Sequence, residues 1–313
     1  MNFTKAHLLT AVKIIVFVAM CYLVANRIFL QNNFNSQLAL FKQNLSANKI
    51  LLLISAVLLM PVNWLLETIK WKALLQNGNA KFSLLLKGVI AGVTFGLVTP
   101  ARSGEFVGRV IYLDDEDRAK VFYLSAIGGM AQSIVTIVIG ALCFALINND
   151  SMLLGMFTGV GAVFLLLYFR FDLLNRLLHN VPFLAARGLV IQHHQLPGLQ
   201  LQLTVLLISL IRYAVYWLQY VLVFMFFGVS GNTLQVLLHS AVLLLVQTFS
   251  PLMPLFDISF RGGSALWVFA PLTDNNLAVL SAVLLIWILN LLLPALAGYL
   301  FLARKKPLLK AQL

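Results

Sequence analysis

Residues 83–109 read SLLLKGVIAGVTFGLVTPARSGEFVGR, and the fold turns on how this stretch meets the membrane. An apolar run, 83–98, ends at the breaker pair Thr99-Pro100, and a mixed run follows at 104–113. Lys81 precedes the stretch, and Arg118 and Lys120 follow it. Lys and Arg collect on the cytoplasmic side of a membrane protein, so both ends of the stretch are expected there. If 83–98 crossed alone, every later loop would change side, and the basic tail Arg304, Lys305, Lys306 and Lys310 would lie outside. The charges therefore predict two paired pieces that enter and return, broken at Thr99–Pro100.

The chain around it has the composition of a membrane protein. Of 313 residues, 61% are hydrophobic and 10% charged, against about 25% charged in a soluble domain. Apolar runs fall at 8–30, 50–69, 83–98, 121–147, 152–169, 201–228, 233–250, 255–272 and 277–302. Backbone groups in lipid must bond internally, and the pattern is not alternating, so an all-α polytopic helical bundle is expected rather than a barrel. The run at 8–30 reads as a first span, since no small-residue cleavage site follows it. No linker or low-complexity segment divides the chain, so 1–313 is read as one domain. Lys5 and Lys13, then Lys70, Lys72 and Lys81, then Arg170, Arg176 and Arg187, and finally the tail mark the cytoplasmic side. Asn148–Ser151, Gly228–Asn232 and Thr273–Asn276 lack Lys and Arg and suit the outside. Gly231 and Asp274 then share a side, and the runs between them are broken at Ser250–Pro251 and Pro254. This second broken pair enters from the other face. Opposed broken helices mark the substrate site in many transporters. The net charge of +12 is thus a topology signal; with no basic soluble patch, no nucleic-acid partner is expected.

Ionisable residues inside a membrane are functional candidates by default. Thr99 suits a helix N-cap and Pro100 the first helical position, so a helix is expected to begin there. Arg102, Glu105 and Arg109 then share a face, and Gly104 and Gly108 allow close approach of a helix or a lipid head group. The arrangement reads either as a phosphate clamp or as an Arg–Glu network that fixes the fold. Asn63, Glu67 and Lys70 share a face at the end of the second span. Trp64, Trp71, Lys70 and Lys72 read as interfacial anchors, whereas Glu67 lies deeper and needs a partner, Arg102 or Arg109. Asp257 and Arg261 are spaced to pair with each other, or to complete a head-group site from the opposite side. Arg212 lies midway along an apolar run near Tyr213, Tyr216 and Tyr220, and requires a cavity or a carboxylate. His239 reads as a packing residue, His193-His194 as a loop pair, and Asp114–Asp117 as a solvated loop. Cys21 and Cys143 read as small core residues. No P-loop, HExxH or nucleophile elbow occurs. An enzyme is not expected, nor any metal or cofactor.

The pattern Asn63…Glu67…Trp71, followed by Thr99-Pro100-x-Arg102-x-Gly104-Glu105, resembles the lysylphosphatidylglycerol synthase transmembrane-region family. That family includes the N-terminal flippase domain of multiple peptide resistance factors and stand-alone flippase-like proteins. Pro254…Arg261-Gly262-Gly263 resembles its second, Pro/Gly-rich motif, with Gly262 where the family has Glu and Asp257 upstream. The resemblance implies lipid translocation in a bacterial-type cytoplasmic (inner) membrane, with both termini cytoplasmic. The tail after the last span is short, so aminoacyl transfer is not expected. The substrate would be a phospholipid or isoprenoid-type amphiphile held by Arg102, Glu105, Arg109, Glu67, Arg212, Asp257 and Arg261. A homo-oligomer or a separate lipid-modifying enzyme are the partners to consider. Two other readings stay open: a membrane-embedded enzyme or accessory subunit for lipid-linked substrates, and a structural protein whose charges only lock the bundle.

Overall fold

The computed structural model describes residues 49–76, 80–99, 102–113, 118–170, 198–229, 232–250, 252–254 and 256–304, with six positions between 22 and 42. The expected first span with Lys5, Lys13 and Cys21, Pro100, the Asp114–Asp117 run, Arg176, Arg187, His193, His194, Gly231, Pro251 and the tail Lys305, Lys306 and Lys310 lie outside the described residues.

Among the described residues all regular structure is helical. The helices are α1 Ile50–Leu75, α2 Phe82–Leu97, α3 Glu105–Ile111, α4 Arg118–Asn148, α5 Ser151–Phe169, α6 Leu199–Phe226, α7 Thr233–Thr248, α8 Ile258–Phe269, α9 Asn276–Trp287 and α10 Leu293–Arg304. A π-turn, Ile288–Leu292, joins the last two. Pro294 follows it and cannot donate to the carbonyl one turn back, which favours a local change of winding. Counting α9 to α10 as one rod, five helices are long and apolar enough to cross a membrane. Large apolar side chains face outward all round, among them Leu51, Leu58, Met152, Leu166 and Trp267. In water that surface would aggregate, so the protein is an integral membrane protein whose outer solvent is lipid. Helix starts are fixed by short polar side chains: Asp150 accepts from the Met152 and Leu153 amides, Asn232 from Leu234, and Asn275 from Ala278.

Long α1 and α6 run antiparallel. Gln219 Nε2 donates to the Ala56 carbonyl (2.8 Å) and Arg212 Nε to Asn63 Oδ1 (2.7 Å), so residues further along one helix meet residues further back on the other. The C-terminal end of α1 therefore shares a side of the bundle with the N-terminal end of α6, where Tyr168 of α5 bonds the Gln202 carbonyl (3.1 Å).

Both broken pairs are helical hairpins. In the first, α2 and α3 touch backbone to backbone: a Cβ on Gly108 would lie 2.1 Å from the Gly92 nitrogen. Its open end lies beside the C-terminal end of α10, where the Tyr112 hydroxyl bonds the Phe301 carbonyl (2.9 Å). In the second, Gln247 bonds Arg261 near the turn (2.9 Å), and His239 meets Phe269 near the open end. Phe269 stacks on Phe224, near the C-terminal end of α6. The two hairpins thus enter from opposite ends of the bundle, and both turns line one cavity.

One local expectation is corrected. The α-helix does not begin at Thr99, although the Arg102 amide bonds the Thr99 carbonyl (3.3 Å) in a tight turn. Arg102 adopts a left-handed conformation (φ 56°), and α3 begins only at Glu105, with Gly104 in the N-cap position. The Thr99 hydroxyl instead bridges the turn, accepting from the Gly104 amide (2.8 Å) and donating to the Phe95 carbonyl (3.0 Å). A side chain at Gly104 would meet the Phe95 carbonyl oxygen at 2.8 Å, so this approach holds backbone rather than a lipid.

Candidate functional site at the meeting of the two hairpins

Glu67 organises the site. It faces inward from α1 and is 5% exposed. Its Oε1 accepts from Arg109 Nη2 of α3 at 2.8 Å. Its Oε2 lies 2.7 Å from Lys70 Nζ and 2.8 Å from Arg212 Nη1 of α6. One carboxylate therefore ties three cations from three elements. Ion pairs removed from water hold only when the remaining donors also find partners. Here Lys70 donates to the Gly128 carbonyl (3.2 Å), Arg109 to Ser125 Oγ (3.4 Å), and Arg212 to Asn63 and Gln132. Trp71 lies against the Arg109 guanidinium (4.7 Å) and Trp64 against that of Arg212 (5.6 Å), each as a cation–π contact.

This corrects the reading of Lys70, Trp64 and Trp71 as interfacial anchors. Lys70 and Trp71 are each 1% exposed and Trp64 4%. They face the interior because α1 continues to Leu75, beyond the apolar run that marked it in the sequence. Glu67 does find Arg109, one of its two expected partners. Arg102 goes elsewhere: its Nε lies 2.5 Å from Glu105 Oε1, while Glu105 Oε2 is 3.8 Å from Arg109.

The second hairpin supplies the facing wall. Arg261 Nε lies 2.6 Å from Asp257 Oδ2, the spaced pair expected from the sequence. The Ser250 hydroxyl donates to the other oxygen of Asp257. Arg261 Nη1 donates to Gln247 Oε1 at 2.9 Å, and so does the Tyr220 hydroxyl. Pro254 offers its carbonyl to Trp287 Nε1 (3.2 Å), tying the turn to α9. His239 bonds the carbonyl one turn back and packs on Phe269, as a core residue does.

Between the walls lies a cavity of about 580 Å³, within the range of small-molecule sites. Arg102, Glu105, Arg109, Glu67, Arg212, Asp257 and Arg261, far apart in the chain, all line it. With Lys70, five cationic and three anionic side chains surround it among the described residues, an excess of two positive charges. Sequence reading missed Gln132, Gln247 and Asn290, which also line it. The signal was there: each is a polar side chain within an apolar run, the criterion that singled out Arg212. Compared with protein-family models and with curated proteins, the chain matches none.

Proposed function

We propose that this protein is a lipid flippase or lipid transporter, moving a phospholipid or isoprenoid-type amphiphile between leaflets. One observation carries the reading: two helical hairpins entering from opposite ends of the bundle turn into the same polar cavity, lined by both Arg102–Glu105 and Asp257–Arg261. A soluble-type enzyme has no need of that symmetry, whereas alternating access is built on it. The acyl or prenyl chains stay in the lipid outside the bundle while the head group occupies the cavity. Rocking of one hairpin against the other opens the cavity to one side at a time. The buried Glu67 cluster is the fixed floor; Arg102, 39% exposed, is the cation placed to turn toward a head group, while Arg261 is held by Asp257 and Gln247 on the facing wall. The resemblance of the Asn63…Glu67 and Arg102…Glu105 segments to the flippase-like family supports the same reading.

The test is translocation of head-group-labelled lipids in proteoliposomes, comparing wild type with Arg102→Ala and Glu105→Gln, each first checked for folding by its melting transition. Wild type is expected to translocate, and both variants to lose at least about tenfold in rate. Equal rates in all three proteins would remove the first hairpin from the site. Chemical turnover of a lipid without translocation would favour the membrane-enzyme reading instead.

A further inference from the structure

The excess of two positive charges is not spread evenly around the cavity. Arg102 with Glu105, and Arg261 with Asp257, form two neutral pairs at the two turns. Among the described residues, the remaining charges are Lys70, Arg109 and Arg212 against the one carboxylate of Glu67. Both surplus charges therefore sit on one wall, made by α1, α3 and α6. Arg109 is 4% exposed, and the Arg212 side chain 15%. An uncompensated buried cation is costly, which favours a bound anion of matching charge.

Hydrogen-bond bookkeeping points the same way. Arg109 Nε is buried and has no hydrogen-bond partner among the described residues. Gln247 Nε2 is also buried and unmatched, and its orientation is fixed because Oε1 already accepts from Arg261 and Tyr220. Arg212 spends Nε on Asn63 and Nη1 on Gln132 and Glu67. Among the described residues, the buried donors Arg109 Nε, Gln247 Nε2 and Trp64 Nε1 on the cavity lining thus lack hydrogen-bond acceptors, and Asn290 Oδ1 lacks a donor. An oxyanion with several oxygens meets that demand, and Arg is the residue suited to phosphate geometry.

We infer that the cavity selects a phosphate monoester in its doubly charged form, in preference to a singly charged phosphodiester or a zwitterionic head group. A dianion cancels the surplus beside Glu67; a diester leaves one buried charge uncompensated. The inference deepens the lipid-transport reading and rests on it only for the source of the phosphate.

The test is equilibrium binding to the purified full-length protein in nanodiscs at pH 8, where a phosphate monoester has lost its second proton (pKa about 6). The probes are phosphatidic acid and phosphatidylmethanol, which differ by one methyl group and one charge. Phosphatidic acid is expected to bind at least about tenfold more tightly, since the second charge acts within a poorly screened cavity. Arg212→Gln removes one surplus charge and is expected to bring the ratio to about twofold or less, while Arg212→Lys retains the preference. Displacement of phosphatidic acid by equimolar inorganic phosphate would assign the site to the free ion, and failure to displace it to the lipid; either supports a dianion site. Equal or tighter binding of phosphatidylmethanol to wild type overturns the inference, as does an unchanged ratio in folded Arg212→Gln. Where Arg212→Gln does not fold, the wild-type ratio decides. Translocation is a separate reading: a monoester preference without translocation would sink only the transporter proposal, and translocation without the preference only this inference.

Discussion

Glu67 holds three cations at once, and its removal should be far more damaging than removal of Glu105 on the same wall. Replacing it by Gln leaves Lys70, Arg109 and Arg212 mutually repelling in a buried site. Breaking a buried pair by removing one partner costs about 3–5 kcal/mol, so Glu67→Gln should lower the melting transition in detergent sharply. Glu105 is 25% exposed, and its nearer partner Arg102 is more exposed still. Glu105→Gln should cost about 1 kcal/mol or less, and its effect should appear in transport instead. A comparable loss of stability in both variants would mean that the charges only lock the bundle. The tryptophans belong to the same scale: Trp71 and Trp64 cover guanidinium groups, and their burial removes water from the cluster.

At the scale of elements, the first hairpin depends on glycine where the two backbones meet. Gly92 and Gly108 face each other, and the nearest backbone atoms leave no space for a side chain on either. Gly108→Ala should force α2 and α3 apart and cost about 1–3 kcal/mol or more, because neighbouring backbone cannot yield as a flexible side chain can. Gly129→Ala, where nothing lies within 4 Å of the added carbon, is the control and should leave the melting transition unchanged. If the two variants melt alike, the close approach does not hold the hairpin. The same packing sets the site, since α3 carries Glu105 and Arg109 toward Glu67 only while it lies flat against α2. On the other side, α10 presses Gly298 against the Ile90 carbonyl and Thr94 bonds the Ala295 carbonyl (2.8 Å), tying the hairpin to the last span.

For the whole molecule, the helix pairings sort the loops into two sets. Lys81, Arg170 and Arg304 lie toward the end of the bundle shared by the C-terminal ends of α1 and α10 and the N-terminal end of α6. Asn149, Asn232 and Asp274 lie toward the other. Single cysteines at Lys81, Arg304, Asn149 and Asp274, in a background with Cys21 and Cys143 replaced, should divide accordingly on labelling of intact cells with an impermeant thiol reagent. Asn149→Cys and Asp274→Cys should react, while Lys81→Cys and Arg304→Cys should react only after permeabilisation, because positive charge is retained inside. Reaction of all four in intact cells would undo the paired-hairpin topology.

Much of this was legible in the chain. The apolar runs from 83–98 onward match their helices to within a few residues, because lipid demands continuous apolar surface and internal backbone bonding. The hairpin breaks at Thr99 and Ser250 followed from charge parity, since each unpaired crossing would have moved Lys or Arg to the wrong side. Glu67, Arg212, Asp257 and Arg261 stood out because charge in an apolar run demands a reason, and Arg102 because it follows a break between two such pieces. Local pattern could not give their partners. Arg102 and Arg109 are seven residues apart, yet one takes Glu105 and the other Glu67. The left-handed turn at Arg102 starts α3 later than the Thr99-Pro100 signal implied, and Lys70 and Trp71, composed like membrane-surface anchors, are buried. The sequence by itself determined which residues must leave lipid and where the described helices break and turn back, because transfer free energy is a property of each segment. Only the tertiary structure decided which charges cancel and where two remain, because pairing depends on distances between segments that the chain does not encode locally.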